Sequence, residues 1–141
     1  MDKARPYITA ALLCEKILQE GNGTLSVIRI ADRIGYNIVG LPDGTKPSTP
    51  ISGLISLKSG PVTGDHTIRV FVENPAGKRQ EVFSHAVKLM GKDHGQNIIL
   101  NIMFGIEQDG LYWFDVAFDE EVLTRIPLTV ARESAPTAQT L

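Results

Sequence analysis

The clearest hydrophobic pattern in the chain is the alternation His66-Thr67-Ile68-Arg69-Val70-Phe71-Val72-Glu73. Ile68, Val70 and Val72 share one face, while Thr67, Arg69, Phe71 and Glu73 share the other. Side chains on an extended backbone point alternately to opposite sides, so this run predicts a half-buried strand. Asn74-Pro75-Ala76-Gly77-Lys78 follows it. Proline presets the φ of a turn and glycine supplies a positive φ, which predicts a hairpin. Arg79 to Met90 then returns as the partner strand.

The same logic extends towards the C-terminus. Ile98, Leu100, Ile102 and Phe104 fall on one face of a strand ending at Ile106, closed by Gln108-Asp109-Gly110. Leu111 to Phe118 places Tyr112, Phe114, Val116 and Phe118 on one side, with Trp113 and Asp115 opposite. Asp119-Glu120-Glu121 reads as a solvated hairpin tip, and Val122 to Val130 as the last strand. Pro127 has no N–H to donate, so that strand is expected to be an edge or to carry a bulge. From Ala131 to Leu141 the chain is polar and aperiodic, and a flexible tail is expected.

Upstream, Ile51 to Lys58 reads as a strand and Ser59 to Gly64 as a link from it to the alternating run. Gly35, Gly40, Pro42, Gly44, Pro47 and Pro50 break up Ile34 to Pro50, which predicts an irregular crossover. Leu25 to Ile30 is a strand candidate behind the turn at Glu20 to Thr24. Tyr7 to Leu18 carries good helix formers, yet a long strand folding back on Leu25 to Ala31 satisfies both backbones. The strand is the better reading, because every other element is β.

These elements amount to seven or eight strands with turns at short intervals. They predict an all-β fold, an antiparallel Greek-key β-sandwich, spanning residues 1–130 as one domain. The 141-residue length fits a single domain that needs no metal or disulfide staple. A net charge of −2, with Lys and Arg scattered, gives no basic stripe for nucleic acid. No apolar run approaches the roughly 20 residues of a membrane helix, and the N-terminus lacks a leader pattern. Cys14 is the single cysteine. With no partner for a disulfide, the expected location is the cytoplasm.

Candidate chemistry is sparse. His66 and His85 fall on strands expected to be neighbours, but a zinc site needs further convergent ligands, and His94 supplies no obvious one. No metal or cofactor is expected. Cys14, between Leu13 and Ile17, reads as a small buried apolar residue rather than an activated thiol. The sequence has no Gly-x-Ser-x-Gly elbow, and neither Gly21-Asn22-Gly23 nor Gly40 to Gly44 leads into a helix that would cradle phosphate. No catalytic residue is assigned. Trp113 stands out, since an outward indole either packs locally or anchors a partner.

Several short motifs carry a resemblance: Cys14-Glu15, Gly23-Thr24-Leu25-Ser26, Gly64-Asp65-His66, the Asn74 to Gly77 turn, Gly110 to Val116 and Pro127 to Val130. Together they resemble an uncharacterised family of small bacterial all-β proteins. The resemblance implies a sandwich fold and a strand at the N-terminus, and brings no catalytic residues with it.

The functional expectation is a binding or interaction module without catalysis. It would act through edge strands and an exposed surface containing Trp113, Asp43, Lys46, His66 and Arg69. The expected partner is a protein, and a homodimer is one form of it. The alternative is a small-ligand binder, taking a nucleotide or sugar at a site between subunits, for which Asp43, Lys46, His66 and Arg69 are the candidate polar groups.

Overall fold

The computed structural model describes residues 4–133. Within them the chain forms strands and no helix: β1 Tyr7–Gln19, β2 Leu25–Ile30, β3 Arg33–Tyr36, β4 Ser48–Glu73, β5 Arg79–Gly105, β6 Gly110–Phe118 and β7 Glu121–Arg132. The fold is all-β, and the N-terminal segment is a strand despite its helix formers. It pairs with β2 on one side and β4 on the other, and that tertiary pairing outweighs local propensity.

The organising element is the hairpin of β4 and β5, closed at Asn74–Lys78. Gly77 turns there at φ 86°, and Lys78 donates its N–H to Asn74 Oδ1 at 2.9 Å. Both strands run far beyond an ordinary length. Residues 48–58 of β4 pair with residues 95–105 of β5 and, from Ser52 on, with β1, whereas residues 63–73 pair with residues 79–90 of β5 and, from Ile68 on, with β6. Ser59 to Gly64, expected as a link, is therefore the bent middle of one strand. Its register slips on both sides of Gly60, and opposite it Gly91 and Lys92 adopt φ of 84° and 55°. Such bulges bend a strand without ending it. The two strands expected at Arg79–Met90 and Ile98–Ile106 are likewise one.

The sheet runs in the order β2-β1-β4-β6-β7-β3, with β5 beside β4. It curls around one core, and Phe104 of β5 meets Tyr112 of β6 edge-on at 5.0 Å across the interior. The expectation of a purely antiparallel arrangement is corrected, because β3 runs parallel to β7. Only Ala31 and Asp32 separate β2 from β3. Ala31 still bonds to Leu13 of β1, and Asp32 already accepts from Thr129 of β7. The chain thus crosses the rim in two residues, without the reversal that antiparallel pairing requires.

The expected core faces are present. Ile68, Val70, Tyr112, Phe114, Val116, Leu100 and Leu128 are almost wholly enclosed. Fully burying each such aliphatic or aromatic side chain is worth about 1.5–3 kcal/mol. Pro127 lies on the part of β7 that pairs only with β6, since β3 reaches only Thr129 to Arg132. Ala131 and Arg132 belong to β7, so the expected tail starts two residues too early; its remainder from 134 lies outside the described residues.

Candidate functional site

The long hairpin gives the molecule two outer sheet surfaces of contrasting chemistry. On β4, Ile51, Ile55 and Leu57 face the core, which turns Ser52, Leu54 and Ser56 outward. Cross-strand neighbours share a face, so Leu12, Leu54 and Ile99 form one apolar row across β1, β4 and β5. Polar rows flank it. Thr9 donates to Ser56 Oγ at 2.9 Å, Ser56 donates to Asn97 Oδ1 at 2.6 Å, and Ser52 donates to Asn101 Oδ1 at 2.8 Å. No charged side chain interrupts these rows, and residues 95–106 carry none; Lys58 lies over Gly95 and Lys46 over Gly105 at the two ends of the segment.

The other surface, over residues 69–73 of β4, β6 and β7, is a lattice of charges. Asp115 is buried. It accepts from Arg125 Nε at 2.6 Å and lies 3.5 Å from Arg79 Nε, while Arg125 also reaches Glu73 at 3.1 Å. Asp115, and then Glu73, hold the Arg125 guanidinium more firmly protonated than usual. The same guanidinium lies 4.6 Å above the Trp113 ring, and Arg79 lies 4.0 Å above Phe71. Arg69 pairs with Glu81. Every strong charge on this surface has a neighbour of opposite sign.

Edges follow the same division. Among the described residues β5 pairs with β4 alone, so its other side is open to them. Its first half carries Arg79, Glu81 and Lys88 and then bends at Gly91. Charges and bends protect an edge from adding another strand. Its second half, residues 95–105, has neither. β2, the other edge of that half, carries Arg29, and β3 is four residues long.

Of the clefts along the hairpin, one lies near its turn and another beside its bend. One, of about 280 Å³, sits near the Asn74 turn over Val72, Val82, Ile102, Phe104 and Tyr112, with Lys46, Lys78 and Gln80 at its rim. Glu107 bridges Lys46 and Asn74 at 3.0 Å each, and those contacts hold its carboxyl below the usual range. The second, wide and open, lies by the bend. There His66 Nδ1 is 2.8 Å from Asp119 Oδ2 and Nε2 is 2.9 Å from the Thr63 carbonyl. Two acceptors facing both ring nitrogens favour the imidazolium, and they raise the His66 pKa, Asp119 contributing most.

The five expected surface residues do not converge. Lys46 lines the first cleft and His66 the second; Arg69 is engaged by Glu81, and Asp43 is exposed in the loop 37–47. Trp113 does face outward, half-buried, but Arg125 covers its ring. His85 stacks beside Phe83 and stands in register with Ile68, while His66 turns to Asp119. Cys14 is buried, which raises its thiol pKa, and it lies beside Asp32 and Ile51, in a different cleft from His66. Among the described residues, no three His, Cys, Asp or Glu side chains gather as a metal site would require. Sequence reasoning missed Arg125, Asp115 and Asp119. The facing pair Asp115 and Arg125 becomes visible only once the β6–β7 register is known.

An all-β chain with one densely charged outer surface and one largely uncharged one is the class these observations define. The chain belongs to a family of unknown function, DUF6941, whose model matches residues 9–131. A search of curated proteins gave no match. Among solved structures it is similar to the Pseudomonas fluorescens alkylpurine DNA glycosylase AlkC, at 11% identity and TM-score 0.56, covering 92% of this chain and 31% of that one. It is also similar to the Listeria innocua β-glucosidase, at 9% identity and TM-score 0.50, covering 93% and 17%. The β-glucosidase 3B of Thermotoga neapolitana matches at 13% identity and TM-score 0.49, covering 62% and 15%. The chain thus spans a third or less of each, and its likeness to the first two concerns the fold.

Proposed function

We propose that this protein is a non-catalytic interaction module that takes up an extended segment of a partner as an added strand along residues 95–105 of β5. The observation that carries this reading is the open, unbent edge of that segment, which bears no charge of its own and is charged on its outer face only at its two ends, by Lys58 over Gly95 and Lys46 over Gly105. Strand addition draws affinity from main-chain hydrogen bonds and specificity from alternate side chains. Here Asn97, Ile99 and Asn101 supply the alternate contacts. The charge lattice around Trp113 is satisfied within the chain, which makes it the less suitable docking surface. The lone, buried Cys14 suits the cytoplasm of a bacterium, where we place the protein.

The test is site-specific photocrosslinking. A benzophenone amino acid at Asn101 should capture a defined protein in cells, and Ile99→Lys should abolish the capture by charging the edge. Equal capture from the same probe at Ser84, on the charged half of β5, would count against strand addition.

A second reading rests on the cleft at Lys46 and Lys78. Its apolar floor and Lys78, beside the Lys46–Glu107 pair, suit a small anion with an apolar body, such as a nucleotide. Saturable binding of a nucleotide by calorimetry, lost in Lys46→Ala, would favour it.

A further inference from the structure

The edge of β5 invites a more specific conclusion, which rests on the strand-addition reading. Outward along this edge the residues run Asn97, Ile99, Asn101, and inward they run Ile98, Leu100, so the segment Asn97-Ile98-Ile99-Leu100-Asn101 reads nearly the same in both directions. We infer that the added strand is the same segment of a second copy, antiparallel, with a two-fold axis at Ile99.

The symmetry makes specific demands, and this segment meets them. A two-fold pairing sets each residue against its mirror position: Ile99 meets Ile99, Asn97 meets Asn101, and Ile98 meets Leu100. Like charges directly opposite on antiparallel strands repel, so a self-pairing edge must lack charge near the axis. Residues 95–106 carry none, and the neighbouring Lys58 and Lys46 lie over Gly95 and Gly105, four and six residues from the axis. The register holds whichever alternate amides face outward, because both sets are symmetric about Ile99.

The outer surface also continues across the axis. The row Leu12-Leu54-Ile99 joins its own mate, giving an apolar stripe across six strands. On each side of it, the row Thr9-Ser56-Asn97 of one copy meets Asn101-Ser52 of the other. Both asparagines accept a serine proton on Oδ1, and among the described residues neither Nδ2 has an acceptor. An asparagine placed opposite supplies one. Of the edges, the first half of β5 with Arg79, Glu81 and Lys88, and β2 with Arg29, would instead set charges into the seam.

The experiment is sedimentation velocity on the full chain over a concentration series. The wild type should dimerise. Ile99→Lys and Ile99→Asp should each be monomeric, and an equimolar mixture of the two should recover the dimer, since opposite charges then face each other at the axis. That recovery also reports that both variants fold, and Ile99→Thr should stay dimeric. A monomeric wild type, or charged variants that remain dimeric, would overturn the inference. If the wild type is monomeric while the Asn101 probe captures a different protein, the second copy is wrong and strand addition stands. If the wild type is monomeric and nothing is captured, both fall.

Discussion

Arg125 lies with its guanidinium carbon 4.6 Å above the Trp113 ring while its Nε holds the buried Asp115 carboxylate at 2.6 Å. One side chain therefore neutralises a buried charge and covers the single tryptophan. Arg125→Ala leaves Asp115 with Arg79 at 3.5 Å as its cationic neighbour. Removing one partner of a fully buried pair costs about 3–5 kcal/mol. Because Arg125 itself is 42% exposed, solvent screening reduces this to about 1–2 kcal/mol. Urea melts should show that loss, and the Trp113 emission should shift to the red with greater quenching by iodide. Arg125→Lys should recover only part of the stability, since an ammonium lacks the planar fork.

His66 links folding to pH. Its pKa is raised by Asp119 first and then by the Thr63 carbonyl, so the folded state holds the proton more tightly than the unfolded chain. The resulting stabilisation is fully present below the unfolded value of about 6.5, and is lost as pH rises through the higher folded value. The melting temperature should decline by a few degrees, roughly the effect of ≤1 kcal/mol, across that window. Asp119→Asn should flatten the dependence. Asparagine also tolerates the φ of 54° found at this position, so the turn itself survives.

Gly53 has no room to grow. A Cβ there would lie 2.9 Å from the Leu12 carbonyl oxygen and 3.2 Å from a Leu100 methyl. The first contact is backbone and cannot swing away. Gly53→Ala should cost about 1–3 kcal/mol, as overpacking does, measured by thermal or urea unfolding. Gly21→Ala, in open space, should be close to neutral.

Tyr112 closes the β5–β6 turn. Its hydroxyl donates to the Gln108 carbonyl at 2.7 Å and accepts from the Gln108 and Glu107 amides at 3.2 and 3.3 Å. Tyr112→Phe keeps the buried ring and strands those backbone groups, a loss of about 1–3 kcal/mol in a denaturant melt. Hydrogen exchange at Glu107 and Gln108 should accelerate.

Much of this fold is legible along the chain wherever one residue's neighbours settle its place. Ile68, Val70 and Val72 announce a core face, and Asn74 to Gly77 announces the turn. Ser59 to Gly64 was not legible as strand, because the residues that break a ladder and the residues that bend one are the same. The direction of β3 was hidden too: four residues carry no orientation, and the bonds of Thr129 to Asp32 and of Glu133 to Tyr36, at its two ends, fix it. Lys46, His66 and Arg69 were identified as surface polar groups, but their separation into different neighbourhoods depends on the curl. Trp113 was recognised as outward, whereas its cover, Arg125, lies one strand away.

Because β4 and β5 are each continuous through both halves of the curl, the two halves are joined by a single uninterrupted hairpin. A hairpin whose turn joins near neighbours in sequence can zip outward from Asn74, gaining its early contacts at little loop-closure cost. The zipper crosses the bend at Gly60 and Gly91 last, and residues 95–105 are then the final part of β5 to be fixed. Release of the chain should run in the opposite order, so strain applied at Gly105 would peel the uncharged segment from β4 before it reaches Arg79.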